Sequence, residues 1–397
     1  PPIYILPKKT HLFTTHSVAS YLLIILFVFL IIRISFNGGI KMVDNKLLKV
    51  IIIFVAAQSL SVLKAINIID FLKVYKNIIL GVIFFFCSLH LINSKKHLSK
   101  VLYFMVLIVL INIIYRFVIF FKPEFLYQLF TALIYDKYIR SVEVHGMRSR
   151  FFIEFVDWVY IPIIIFLSIK ERNFFIKFLL ITQTFLLFFF SILSGYRAFF
   201  LICLFGLLVS FFILKKKKYF LVVLIILFVF NFLTLRTSNS YLKMTALARF
   251  LNEETDTIKG RFILWRESLE IIESSPLIGI GLGNFYDYLP NNKKINMSLF
   301  NWKNEVMKLI LIHPHNALFS SLAETGLIGF VSLFGLIVMF VFYDLYHFKE
   351  NLYGFVMISF WLLFLLSMVN PNFVLQYQIT FWLLRSIIYK NREILFQ

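Results

Sequence analysis

Apolar residues in this chain come in long, nearly unbroken runs separated by short polar segments. A helix needs about 20 mostly apolar residues to cross a bilayer. Runs of that kind fall near 18–35, 47–69, 77–93, 98–121, 153–169, 174–193, 196–214, 218–235, 319–343, 353–369 and 373–389. Between the eighth and the ninth lies a long stretch of mixed character, 236–315. The pattern predicts an all-α polytopic membrane protein of about 11–12 transmembrane helices with one large outward loop. It divides into N-terminal transmembrane helices over 1–235, the large loop over 236–315 and C-terminal transmembrane helices over 316–397. Eleven spans is an odd count, so either two segments run together or a further helix precedes Pro1, and the opening PPIYILPKKT, without an initiator Met, favours the second.

The large loop carries a pattern of its own. From Gly260, GRFILWRESLEII places Phe262, Trp265, Leu269 and Ile272 at helical spacing, which predicts an amphipathic helix. Arg261 and Trp265 are four apart and share a face. Such a helix is expected to lie on the membrane surface with Trp265 at headgroup depth. SSPLIGIGLGNF follows, where Pro276, Gly279, Gly281 and Gly283 predict a helix stop and a turn-rich loop. GIGLGN is not a dinucleotide fingerprint, because no strand precedes it and no Gly-x-x-Gly closes it.

Composition sharpens this. The chain is 60% hydrophobic and only 15% charged, with 51 phenylalanines, and a soluble core cannot absorb that much apolar surface. The net charge of +20 suggests nucleic acid only until its placement is seen. The basic residues sit between apolar runs, as in KKKK at 215–218 and SKKHLSK at 94–100. Lys and Arg concentrate in that way on the cytoplasmic side of membrane proteins. Segments 36–49, 94–100, 170–177, 215–218 and the C-terminal tail are therefore expected inside, and 122–152, 194–196, 236–315 and 370–372 outside. No nucleic-acid partner is expected. Cys87 and Cys203 fall inside apolar runs, which suits neither a disulfide framework nor a cysteine metal site.

Three groups on the outward side could carry chemistry. Arg197 opens the seventh run, Arg261 opens the surface helix, and His315 stands where the chain re-enters the membrane. Each also has a plain reading: Arg197 can snorkel to headgroups, Arg261 can be an interfacial cation, and His315 can be a hydrogen-bonded interfacial side chain. Two convergent arginines would make a good diphosphate clamp, because guanidinium binds phosphate oxygens bidentately. His315 titrates near neutrality and suits a general base. Asn316 is expected to cap a helix beginning at Ala317. Glu324 would orient a polar neighbour or cap a polar pocket, and Gly326 and Gly329 would permit close helix contact. His313 and His315 form a His-x-His pair, but no cysteine or carboxylate cluster joins them, so no metal and no cofactor is expected.

These residues together resemble the O-antigen ligase and O-antigen polymerase superfamily of bacterial membrane glycosyltransferases. The resemblance rests on Arg261, Trp265, Pro276, Gly279, Gly281, Gly283 and Phe285, then His315, Asn316, Glu324, Gly326 and Gly329, with Ser194 and Arg197 upstream. It covers about 190–330. The family often has a Gly followed by Pro-Asn before the fifth span; here Gly146 lacks the Pro-Asn, leaving Arg148 or Arg150 as extra phosphate contacts. The resemblance implies a GT-C-like helical fold in the bacterial cytoplasmic membrane. It implies transfer of a glycan from a polyprenyl diphosphate to a sugar hydroxyl, on a glycan or lipid-core acceptor, at the periplasmic or outer face. On that reading Arg197 and Arg261 hold diphosphate and His315 is the catalytic base. Trp265, Asn316, Glu324, Gly281, Gly283 and Gly326 support them. Ligase and repeat-unit polymerase remain alternatives. So does a transporter of lipid-linked sugars, although that would favour internal repeats and charges inside many helices.

Overall fold

The computed structural model describes residues 45–92, 94–121, 157–193, 197–215, 256–288, 314–348, 351–369 and 375–395. The expected spans at 18–35 and 218–235, the pair Arg148 and Arg150, and His313 lie outside these residues. The described chain is helical, and no strand occurs among the described residues. Its helices are α1 (Asn45–Leu60), α2 (Ile68–Leu91), α3 (Lys95–Phe121), α4 (Ile161–Lys170), α5 (Phe174–Leu193), α6 (Arg197–Ile213), α7 (Asp256–Ser274), the single turn α8 (Phe285–Tyr288), α9 (Ala317–His347), α10 (Leu352–Ser367) and α11 (Leu375–Leu395). 3₁₀ turns at Ser61–Lys64 and Asp157–Tyr160 extend α1 and precede α4. Among the described residues five helices are long and apolar enough to cross a membrane: α1 with its 3₁₀ turn, α2, α3, α5 and α9. The shorter apolar helices are α6 and α10.

One boundary differs from the sequence reading. The polar residues Asp70, Lys73 and Lys76 read as a connection between two runs, but they form the first turns of α2. Asn67 starts that helix by accepting hydrogen bonds from the N–H groups of Ile69 (3.1 Å) and Asp70 (3.3 Å). Satisfying these otherwise open donors is what an N-cap contributes. The break between the two spans is therefore at 65–67.

The bundle packs α11 against α2, α9 against α1, α4 against α5, and α10 against α11. Trp382 of α11 is buried among Phe54, Phe85 and Phe381. One charged cluster lies inside this apolar frame. Arg385 of α11 donates from Nη1 to both carboxylate oxygens of Asp344 on α9, at 2.7 and 2.9 Å. Trp361 Nε1 of α10 donates to the same carboxylate at 2.9 Å. The guanidinium also lies 4.0 Å from the centroid of the Phe340 ring. Three helices are thereby tied together by a charge that is solvated entirely by protein.

α9 is two helices joined at a break. Gly326 has φ +63° and ψ −168°. A break in an apolar helix frees carbonyls before it and N–H groups after it, and these need partners because a bilayer offers none. The turn after α7 supplies four. Ile280 N–H bonds Ala323 O (3.1 Å) and Gly281 N–H bonds Glu324 O (2.9 Å). On the other side Leu327 N–H bonds Pro276 O (2.8 Å) and Ile328 N–H bonds Leu277 O (3.1 Å). The sequence reading gave Gly326 a role in close helix contact. The correction is that it makes the break, and the close approach is to a loop: a Cβ there would sit 2.4 Å from the Leu277 carbonyl carbon.

Candidate active site

The glycine turn is held from below as well. Gly281 has φ +96°, and a Cβ on it would lie 2.7 Å from the Ala65 Cα. Asn284, fully buried, bonds the backbone of Asn67 in both directions: it accepts from the Asn67 N–H and donates to the Asn67 carbonyl at 3.2 Å. Glu324 is fully buried, and its Oε2 accepts the Gly283 N–H at 3.0 Å. Glu324 thus ties α9 to a backbone N–H of the glycine turn. Gln58 of α1 completes the arrangement by donating to the Gly329 carbonyl at 2.9 Å. Sequence reasoning missed Gln58, Asn284 and Asn67. A polar residue inside an apolar run is the signal that could have found Gln58.

The helix α7 extends the predicted amphipathic segment at its N-terminal end, to Asp256. Its two faces differ in exposure. Leu264, Ser268 and Ile271 are buried, whereas Phe262 and Leu269 are 60% and 51% exposed. Trp265, half-buried, reaches α9. Its ring stacks on Phe319 of α9 with centroids 5.6 Å apart and planes 16° apart. Its Nε1 donates to the Pro314 carbonyl at 3.1 Å.

Pro314 leads into His315, which has φ +53°. A non-glycine residue in that left-handed region is uncommon and needs support from its surroundings. Asn316 provides some: its Oδ1 accepts the N–H groups of Leu318 (2.9 Å) and Phe319 (3.2 Å), capping α9 where the sequence predicted. His315 itself is half-buried.

Arg197 is the first residue of α6, one turn before Phe200 and close to the Trp158–Phe199 stack. Arg261 lies one turn before Trp265 on α7. Burial, and then the positive charge of Arg197, hold the Arg261 pKa below its ordinary value. The fold thus brings the two arginines within electrostatic reach, although they are 64 positions apart (261 − 197). Among the described residues no three His, Cys, Asp or Glu side chains gather into a group that could hold a metal ion.

The comparisons bear on this same region. Residues 183–334 match the family model described as O-antigen ligase. The chain carries a domain of the O-antigen ligase family. The match runs from within α5 to within α9 and so takes in Arg197, Arg261, Trp265, the glycine turn, His315 and Glu324. No curated protein matches the chain. The match, with the apolar helices around it, makes this an integral membrane protein.

Proposed function

We propose that the protein transfers a glycan from a polyprenyl diphosphate carrier to a sugar hydroxyl, as a ligase or a repeat-unit polymerase, at the periplasmic or outer face of the bacterial cytoplasmic membrane. The observation that carries this reading is the approach of Arg261 to Arg197 inside the O-antigen ligase domain. Two like charges held together and away from water favour an anion between them. A diphosphate leaving group supplies that anion and needs most stabilisation as its charge develops. The acceptor oxygen attacks the anomeric carbon from the face opposite the diphosphate. The bond from that carbon to the phosphate oxygen breaks, and the electron pair leaves with the lipid diphosphate. His315 takes the hydroxyl proton, and in-line displacement inverts the anomeric centre. The arginines do the electrostatic work, so the step requires no metal.

The test is complementation of a strain lacking the gene, with wild type, His315→Ala and Arg197→Ala at matched membrane levels. Surface polysaccharide is resolved on gels, and lipid-linked precursor is assayed in each leaflet. Wild type should restore long glycan, and both variants should accumulate precursor on the outer leaflet. Single repeat units on the acceptor mark a polymerase defect, and free long chains on the carrier mark a ligase defect. Normal glycan from His315→Ala would remove the base assignment. Precursor stranded on the inner leaflet would replace the transferase with a transporter.

A further inference from the structure

We propose that Trp265 is a positioning residue that holds His315 in its reactive orientation, an inference that rests on the reading of His315 as the general base. His315 occupies a left-handed backbone conformation at φ +53°, so the segment relaxes away unless it is pinned on both sides. On the C-terminal side the pin is the Asn316 cap. On the N-terminal side stands Pro314, which has no N–H to donate. Its carbonyl, part of the peptide that leads into His315, accepts from Trp265 Nε1 at 3.1 Å. The indole is itself immobilised by the Phe319 ring and by Phe262, whose ring meets it edge-on at 5.4 Å.

The consequence for chemistry comes from the same helix. Arg261 precedes Trp265 by one turn of α7, so one rigid element carries both an arginine of the diphosphate clamp and the anchor of the base. The indole N–H therefore sets the distance between proton removal at the acceptor and charge development at the leaving group. Displacements of about 1 Å in such geometry cost about a hundredfold in rate.

Trp265→Phe removes the N–H donor and keeps an aromatic ring against Phe319 and Phe262. The full-length protein is purified in detergent. Its substrates are the lipid-linked glycan and the acceptor extracted from the strain lacking the gene. Turnover is measured for wild type, Trp265→Phe, His315→Ala and the double variant. Trp265→Phe is expected to lower kcat about ten- to a hundredfold with donor KM within about twofold of wild type. In the His315→Ala background it is expected to add no further loss, because residues acting through one group are non-additive. Phe319→Leu, which leaves the N–H donor and removes the ring behind it, should show the same split to a smaller degree. It decides the matter if Trp265→Phe does not fold. A normal kcat for both variants beside an inactive His315→Ala overturns the positioning role and leaves the base intact. A raised donor KM with unchanged kcat, or a further loss on top of His315→Ala, also overturns it. Wild-type turnover by His315→Ala removes the base, and the positioning role with it.

Discussion

Arg385 is a buried guanidinium and Arg261 a partly buried one, and they are neighboured in opposite ways. Arg385 meets a carboxylate twice, is shared with Trp361 through that carboxylate, and lies over an aromatic ring. Arg261 feels another arginine. The first arrangement is closed, with opposite charges compensating each other. The second costs free energy while charged and is relieved when an anion arrives. Because the folded-state pKa of Arg261 is depressed, its charge opposes folding fully below that pKa, and the cost fades only as pH rises from there to the ordinary arginine value. At neutral pH a bound anion ends it instead. The contrast follows the chain: the O-antigen ligase match at 183–334 includes Arg261 and stops short of Asp344 and Arg385. Buried charge alone is thus a poor guide to function, and the sign of its neighbour is a better one.

The comparison can be broken by removing each cation in turn. Arg385→Met leaves Asp344 buried without its partner, and thermal or denaturant unfolding in detergent should show a loss of about 3–5 kcal/mol. Adding Asp344→Leu should return most of it, because an apolar pair replaces a buried ion pair nearly neutrally. If Arg385→Met is as stable as wild type, the closed cluster holds nothing together. Arg261→Met should behave in reverse. Turnover should fall about 10²–10³-fold, while the unfolding temperature stays level or rises. A clear drop in stability with activity retained would make Arg261 a structural residue. The smallest effect concerns the scaffold that both regions share through α9. Gly326→Ala should cost about 1–3 kcal/mol, since its φ of +63° is strained for any Cβ and the Leu277 carbonyl occupies the space. Unfolding at the wild-type temperature would mean that the break is not maintained in solution.

Much of this was readable from residue pattern. The ends of α5 and α6 fall within a residue of the predicted runs, and the Asn316 cap stands where a polar residue before an apolar run put it. These features are local, set by hydrophobic runs and by the chemistry of one cap. One failure is local, the missed cap at Asn67, and the others are long-range. Asp70 and Lys73 look like a loop until Asn67 is seen to begin a helix ahead of them. ETGLIG looks like a helix-packing motif because nothing nearby says that Pro276 to Gly281 will take over its backbone hydrogen bonds. The Arg197–Arg261 approach was a chemical expectation from residue type, and their nearness is a product of the fold. Asp344 and Arg385 passed unnoticed, since no local rule pairs positions 41 apart.

The junction at Gly326 also bears on how such enzymes can be recombined. Four main-chain hydrogen bonds join residues 276–281 to 323–328, and main-chain bonds carry no side-chain identity that two parents could match independently. A chimera that takes the glycine turn from one relative and the following helix from another inherits two surfaces fitted by backbone shape. Crossover points for exchanging acceptor preference therefore belong before Asp256 or beyond Ser332, leaving the turn and the broken helix to travel as a single cassette.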